Sequence, residues 1–220
     1  MKVSETDSWE AAYVRFETPD EEIIKFSRRL IRMGALDWSK DAEIVELFCG
    51  RGNGLHALSR LGFVRMEGVD LSRSLLSQYS GSAKCYVCDC KYLPFDNCCK
   101  DIVIIQGGLH HLVLLPDDLE QCLSEANRVL RTNGLLVVVE PWLTPFLSVV
   151  HWVCRQSIAR HLSRKIDALA TMVQYEQQTY YRWLSLPEMI LALFHKFFHS
   201  EHCSSQWGKL WFIGRKRVIV

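Results

Sequence analysis

The stretch IVELFCGRGNGLHAL, residues 44–58, runs from an apolar, strand-like segment through three glycines in five positions and straight into a helical pattern. Gly50, Gly52 and Gly54 permit positive φ and a close approach of bare backbone to a ligand. Leu55, Leu58 and Leu61 recur at helical spacing, so a helix N-terminus points at the turn, where its amides favour an anionic or dipolar group. Asp70 closes the next apolar run, at a place where an acidic side chain can accept hydrogen bonds from both hydroxyls of a ribose. A nucleoside-bearing cofactor is the expected ligand.

Working outward, short apolar runs at 44–48, 66–69, 85–87, 102–105 and 135–139 read as strands. TPDEEIIKFSRRLIRM places Thr18 as N-cap, Pro19 at the first helical position and Glu21 at the third, a capping box ahead of Ile23, Phe26, Leu30 and Met33. PDDLEQCLSEANRVLRTNG starts a second helix at Pro116 and puts Leu119, Cys122, Leu123, Ala126, Val129 and Leu130 on one face, with a stop expected at Asn133-Gly134. SLPEMILALF reads as a further helix with a capping box from Ser185 to Glu188, and KFFHSEH and KLWFIGRKR as two antiparallel strands that complete a seven-stranded sheet. Continuous apolar strands alternating with helices argue for a mostly parallel, doubly wound α/β sheet covered on both faces. In such sheets ligands sit beyond the carboxyl ends of the strands, so functional residues belong just after each one.

Composition narrows the function. With 220 residues, 49% hydrophobic and 23% charged, the chain can build an ordinary globular core. Lys and Arg total 26 against 25 Asp and Glu, which leaves no basic field for nucleic acid. No apolar run is long enough to span a membrane, and the polar start MKVSETDSWE lacks the apolar segment of a secretory signal, so a cytoplasmic location is expected. Nine cysteines, an odd number, fit reduced thiols. Five lie in CYVCDCKYLPFDNCC; Cys85 and Cys88 have a zinc-like spacing, yet strand alternation points them apart and no second pair follows. No metal site is expected.

The glycine turn alone leaves two cofactors open. A dinucleotide wants G-x-G-x-x-G, and after Gly50-Arg51-Gly52 the third glycine comes too early, at Gly54. Taken together, VELFCGRGNGLHAL, GVDLS, DCKYLPFDN, DIVIIQGGLHHL and EANRVLRTNGLLVVVEP resemble the class I S-adenosylmethionine-dependent methyltransferases, in particular the small-molecule branch related to ubiquinone and menaquinone methyltransferases. The likeness spans residues 44–141 and implies a Rossmann-like sheet. It implies that Glu46 and the turn from Gly50 to Gly52 face the methionine part of S-adenosylmethionine, that Asp70 holds the ribose hydroxyls, and that Leu71 packs on the adenine. Asp89 would bind the adenine amino group, with a backbone donor from Cys90, and the main chain of Gln106 would meet the methionine part. Phe48, also among the cofactor-facing positions, stands where the family usually has glycine. The N-terminal WEAAYVRFETP would cover the cofactor as a lid, with Tyr13 and Phe16 in contact.

Methyl transfer asks the protein to align an acceptor and, for a hydroxyl or acid, to remove a proton. His110 and His111, just after the fourth strand, are the candidate bases, one of them expected to be structural. Four segments follow: a lid over 1–40, the cofactor-binding core over 41–141, a helical cap over 142–184, and a C-terminal helix with two strands over 185–220. The cap carries aromatic rings suited either to a flat or greasy acceptor or to its own core. Its Arg155, Arg160, Arg164 and Lys165 suit a solvated face, an anionic substrate or a peripheral contact with a membrane. The expected activity is methylation of a small molecule, an O-methylated metabolite or a quinone or lipid-like compound. The other classes are a nicotinamide-dependent oxidoreductase and a catalytically silent binding module; the oligomeric state stays open.

Overall fold

The structure is a computed structural model and describes residues 11–13 and 15–217. Seven strands, β1 (Ile44–Leu47), β2 (Met66–Asp70), β3 (Lys84–Val87), β4 (Lys100–Gln106), β5 (Leu130–Pro141), β6 (Phe198–Gln206) and β7 (Lys209–Lys216), form one sheet in the order β3-β2-β1-β4-β5-β7-β6. The first five are parallel, and β7 runs antiparallel to both β5 and β6. The strand order reverses between β1 and β4, which opens a crevice at their carboxyl ends.

The helices with described bounds are α1 (Pro19–Arg32), α2 (Asn53–Arg60), α3 (Arg73–Leu76), α4 (Asp117–Val129), α5 (Pro145–Arg155), α6 (Ser157–Leu162), α7 (Arg164–Tyr175), α8 (Gln177–Leu184) and α9 (Pro187–Phe197), with a 3-10 turn at Leu109–His111. Every residue of β1 is buried because the pleat feeds two cores. Val45 and Leu47 join Val103, Ile105 and Val138 on the α4 side. Ile44 joins Ile102, Ile104 and Val137 on the side of α1 and α2, the face on which Glu46, two residues on, also falls.

Thr18 caps α1 as expected: its hydroxyl accepts from the Glu21 amide at 3.3 Å, and the Glu21 carboxylate accepts from the Thr18 amide at 3.0 Å, a reciprocal cap that contributes about 1 kcal/mol. Two boundaries differ from the sequence expectation. α4 ends at Val129 rather than at Asn133-Gly134, because Leu130 is fully buried and already pairs with Lys100 of β4. Asn133, at φ +63°, makes a turn inside the extended segment instead. At α9 the expected capping box does not form: the Ser185 hydroxyl donates back to the Arg182 carbonyl of α8 at 2.8 Å, and α9 opens on Pro187 with no side-chain cap.

The chain between β5 and α9 is helical, and its aromatics divide. Trp142, Tyr180 and Trp183 are buried, with Trp183 Nε1 donating to the Pro141 carbonyl at 2.8 Å and fixing α8 to the end of β5. Phe146, Trp152 and Tyr175 are exposed. No helix among the described residues is long and apolar enough to cross a membrane. The first ten residues of the expected lid lie outside the described ones.

Candidate active site

The glycine turn behaves as its residues require. Gly50 and Gly52 take φ of +53° and +75°, and a Cβ on Gly52 would strike the Tyr79 ring at 2.2 Å. Gly54 serves a different purpose from the turn glycines: it lies in the first turn of α2, where a Cβ would lie 1.9 Å from Glu46 Oε1. Its missing side chain makes room for the carboxyl group beneath the helix.

Glu46 is 2% exposed and its Oε2 has no hydrogen-bond partner. Burial pushes its pKa up to about 8. Both polar atoms of the Gln106 side chain are likewise buried without a hydrogen bond, as is Nε of Arg51, whose Nη2 lies 3.7 Å from Glu22 Oε2. Unmatched buried polar groups are costly. Here they gather at the crevice between β1 and β4, a carboxyl group able to receive a cation and amides able to receive either pole. That donor set fits the ammonium and carboxylate of an amino acid moiety.

Phe48 adopts φ +58°, a left-handed conformation that costs a non-glycine residue about 1–2 kcal/mol. Gly108, after β4, accommodates it: a Cβ there would lie 2.1 Å from Phe48 Cγ. The turn therefore keeps the backbone path a glycine would give, and a ring fills the space above Gly108.

Asp70 ends β2, and its two oxygens accept from the amides of Gly50 and Ser72, each at 2.8 Å. These bonds hold the carboxylate beside the glycine turn and leave each oxygen a further lone pair. Leu71 follows it, two-thirds exposed. Asp89 Oδ1 accepts from the Lys91 amide at 2.9 Å and so caps a turn, next to buried Cys90.

Tyr13 lies over the other side of the turn. Its hydroxyl donates to buried Glu22 of α1, the Arg51 guanidinium stacks 4.9 Å from its ring, and Asn53 Nδ2 donates to Glu22 at 2.5 Å. Burial and the Glu22 carboxylate both push its phenol pKa upward. Glu22 thus ties the N-terminal segment to the first residues of α2. Phe16 is half-buried.

His110 and His111 separate in character. His110 is buried, and its Nδ1 lies 2.7 Å from Glu140 Oε2. Burial alone would lower its pKa; the Glu140 carboxylate outweighs that and raises it to about 9. Glu140 is itself completely buried at the end of β5, and its Oε1 accepts from the amides of Gly108 and Leu109 at 2.7 and 2.8 Å. These donors and the imidazolium hold it ionised despite its burial. His111 has a 40% exposed side chain, and packing together with the charge of His110 lowers its pKa. It is therefore neutral where His110 is charged. Glu176, leading into α8, faces both rings, 3.6 Å from His110 Nε2 and 3.8 Å from His111 Nδ1. Among the described residues these three form the one group of His, Cys, Asp or Glu with ligand-like spacing.

Residues 45–138 match a family model described as a methyltransferase domain. No curated protein matches the chain in sequence. Among solved structures, a protein of Pyrococcus horikoshii superposes with a TM-score of 0.65 at 16% identity, covering 86% of this chain and 89% of its own. One of Methanococcus maripaludis described as an S-adenosyl-L-methionine-dependent methyltransferase gives 0.63 at 14%, covering 98% and 94%. A Haloferax volcanii methyltransferase, solved in complex with a methyltransferase activator, gives 0.62 at 16%, covering 96% of each chain.

Proposed function

We infer that this chain, residues 45–138 of which match a methyltransferase domain, is a class I S-adenosylmethionine-dependent methyltransferase that methylates a small, largely apolar acceptor at a hydroxyl or acidic oxygen. The observation that carries the assignment of its cofactor side is the set of partnerless buried groups, Glu46 Oε2 and the Gln106 amide, at the reversal of the strand order. Glu46 would receive the ammonium of the methionine part, with Gly50 and Gly52 giving backbone approach beneath it. Asp70 would take the ribose hydroxyls on its free lone pairs, Leu71 and Asp89 would border the adenine with the Cys90 amide, and Phe48, Gln106 and Tyr13 would close the remaining sides. When bound, S-adenosylmethionine supplies a sulfonium-activated methyl group.

The two histidines take different parts. His110, paired to buried Glu140, is charged at neutral pH and cannot accept a proton there; we assign it to positioning. His111, neutral and partly open, takes the proton that an acceptor hydroxyl releases, and Glu176 steadies the charge that results. The apolar character of the acceptor follows from the surrounding rings: Tyr180 packs edge-on to His110 at 5.9 Å, with Tyr181 against it at 5.6 Å.

His111→Ala is expected to lower the single-turnover rate about 100-fold while leaving the affinity for S-adenosylmethionine unchanged. Asp70→Ala should do the opposite, weakening cofactor binding by about 1–3 kcal/mol. Quantifying S-adenosylhomocysteine release against a panel of phenols, quinols and fatty acids, alongside calorimetric titration, reads both. A rate that survives His111→Ala across every productive acceptor removes the base assignment.

A further inference from the structure

α5, with the sequence PFLSVVHWVCR, is apolar nearly all round, yet His151 is its one buried residue. A helix of that composition belongs against a core or a membrane. Phe146, Val149 and Trp152 recur at every third position and are 45%, 59% and 62% exposed. Trp207, 71% exposed, stacks edge-on against Phe146 at 5.3 Å and extends the apolar surface onto the loop between β6 and β7. On α6, Ile158 and Leu162 are 74% and 82% exposed. Large apolar side chains exposed together on consecutive helices mark an interaction surface.

Charge says what covers it. Residues 141–166 contain Arg155, Arg160, Arg164 and Lys165 and no aspartate or glutamate. Arg160 is paired to Asp167 and Lys165 to Glu21, while exposed Arg155 follows Trp152 by about one turn of α5. A second copy of the chain docking through this face would bring a like set of cations against it. An anionic lipid surface complements both the rings and the charges.

We propose that α5 and α6 dock this protein onto an anionic lipid bilayer, with Phe146, Val149 and Trp152 entering the interfacial layer and Arg155 and Arg164 meeting the lipid phosphates. The surface is read from exposure and charge alone. Its consequence for catalysis rests on the proposed function. The inner face of α5 carries His151, whose Nε2 lies 3.1 Å from the Tyr180 hydroxyl, and Tyr180 packs on His110. Docking therefore places the acceptor side of the site toward the membrane, where a lipid-soluble acceptor would be drawn.

The test is co-sedimentation of the full chain with phosphatidylcholine vesicles and with vesicles that also contain phosphatidylglycerol, at low and high salt, beside calorimetric affinity for S-adenosylmethionine. Wild type is expected to partition at least about tenfold more strongly onto the anionic vesicles, and less so in high salt. Val149→Glu with Trp152→Glu, or Arg155→Glu with Arg164→Glu, should each reduce that partition about tenfold while cofactor affinity holds, since all four side chains are outside the site. Wild type that ignores anionic vesicles overturns the proposal, as does partition unaffected by either pair of substitutions. A dimer in sedimentation equilibrium that Val149→Glu dissociates would also overturn it, by making a second copy the occupant. Failure of cofactor binding, in contrast, would count against the proposed function and leave vesicle binding intact.

Discussion

Glu46→Gln is expected to weaken S-adenosylmethionine binding about 10- to 100-fold and, at pH 8 and above, to raise the melting temperature of the ligand-free protein. Both effects come from one buried carboxyl group. Its ordinary pKa of 4.5 rises to about 8 in the folded chain because burial disfavours the charge. For an acid shifted upward, the folded state holds a proton that the unfolded state releases between those two values. The group's contribution to stability is therefore present at low pH and lost as pH rises from about 4.5 through 8. Glutamine keeps the shape without that loss, so the ligand-free variant should melt roughly 5 °C higher at pH 8 or above. The ligand reverses the sign. A cation beside Glu46 favours the carboxylate, and its removal costs a charge-assisted hydrogen bond, about 1.5–3 kcal/mol. Binding below pH 8 should accordingly release a proton and tighten with rising pH, until the ligand's own ammonium begins to deprotonate at about 7.7–8.0. Differential scanning fluorimetry and titration across pH check the pair of effects; a variant that loses stability and keeps affinity contradicts the assignment.

Glu140→Ala is expected to destabilise the fold by about 3–5 kcal/mol, as read by urea unfolding. The substitution leaves the amides of Gly108 and Leu109 and the His110 ring without their shared acceptor, all of them buried. Glu140→Gln can still accept from the two amides and should cost less, about 1–2 kcal/mol. The pH dependence separates charge from packing. His110 has a folded pKa raised to about 9 from 6.5, so the ion pair stabilises fully below pH 6.5 and its contribution disappears as pH rises through about 9. That portion of the wild-type slope should be absent from Glu140→Gln. An unchanged slope would mean His110 is not held charged by Glu140.

The sheet was legible because its signals are local and redundant. Strands buried on both faces read as unbroken apolar runs, the glycine turn sits between a strand and a helix, and Thr18 with Glu21 marks a start by chemistry that needs no distant partner. The misread helix end at Asn133-Gly134 shows the opposite case: turn residues punctuate an extended segment as readily as they end a helix, and only the pairing of Leu130 with Lys100 decides between them. Ser185 failed as a cap because its hydroxyl had a nearer carbonyl to serve.

At the site, Glu46 was legible as an acid inside an apolar strand. Glu140, in VVVEP, carries the same signal and went unread as a site residue, although it organises Gly108, Leu109 and His110. Glu22 and Glu176 gave no sequence signal, since each acts on residues far along the chain: Glu22 on Tyr13 and Asn53, Glu176 on the two histidines. Phe48 stands where the resemblance leads one to expect glycine. Its compensation, the bare backbone of Gly108, belongs to another strand's loop and became visible only in three dimensions.

The most direct test of the central claim is calorimetric titration of the protein with S-adenosylmethionine, S-adenosylhomocysteine and NADH at pH 7, in two buffers of different ionisation enthalpy. The account predicts micromolar binding of both sulfur nucleosides, none of NADH, and a buffer-dependent heat from the proton that Glu46 releases. NADH binding in their place, or binding of the sulfur nucleosides with no proton released in wild type, would contradict it.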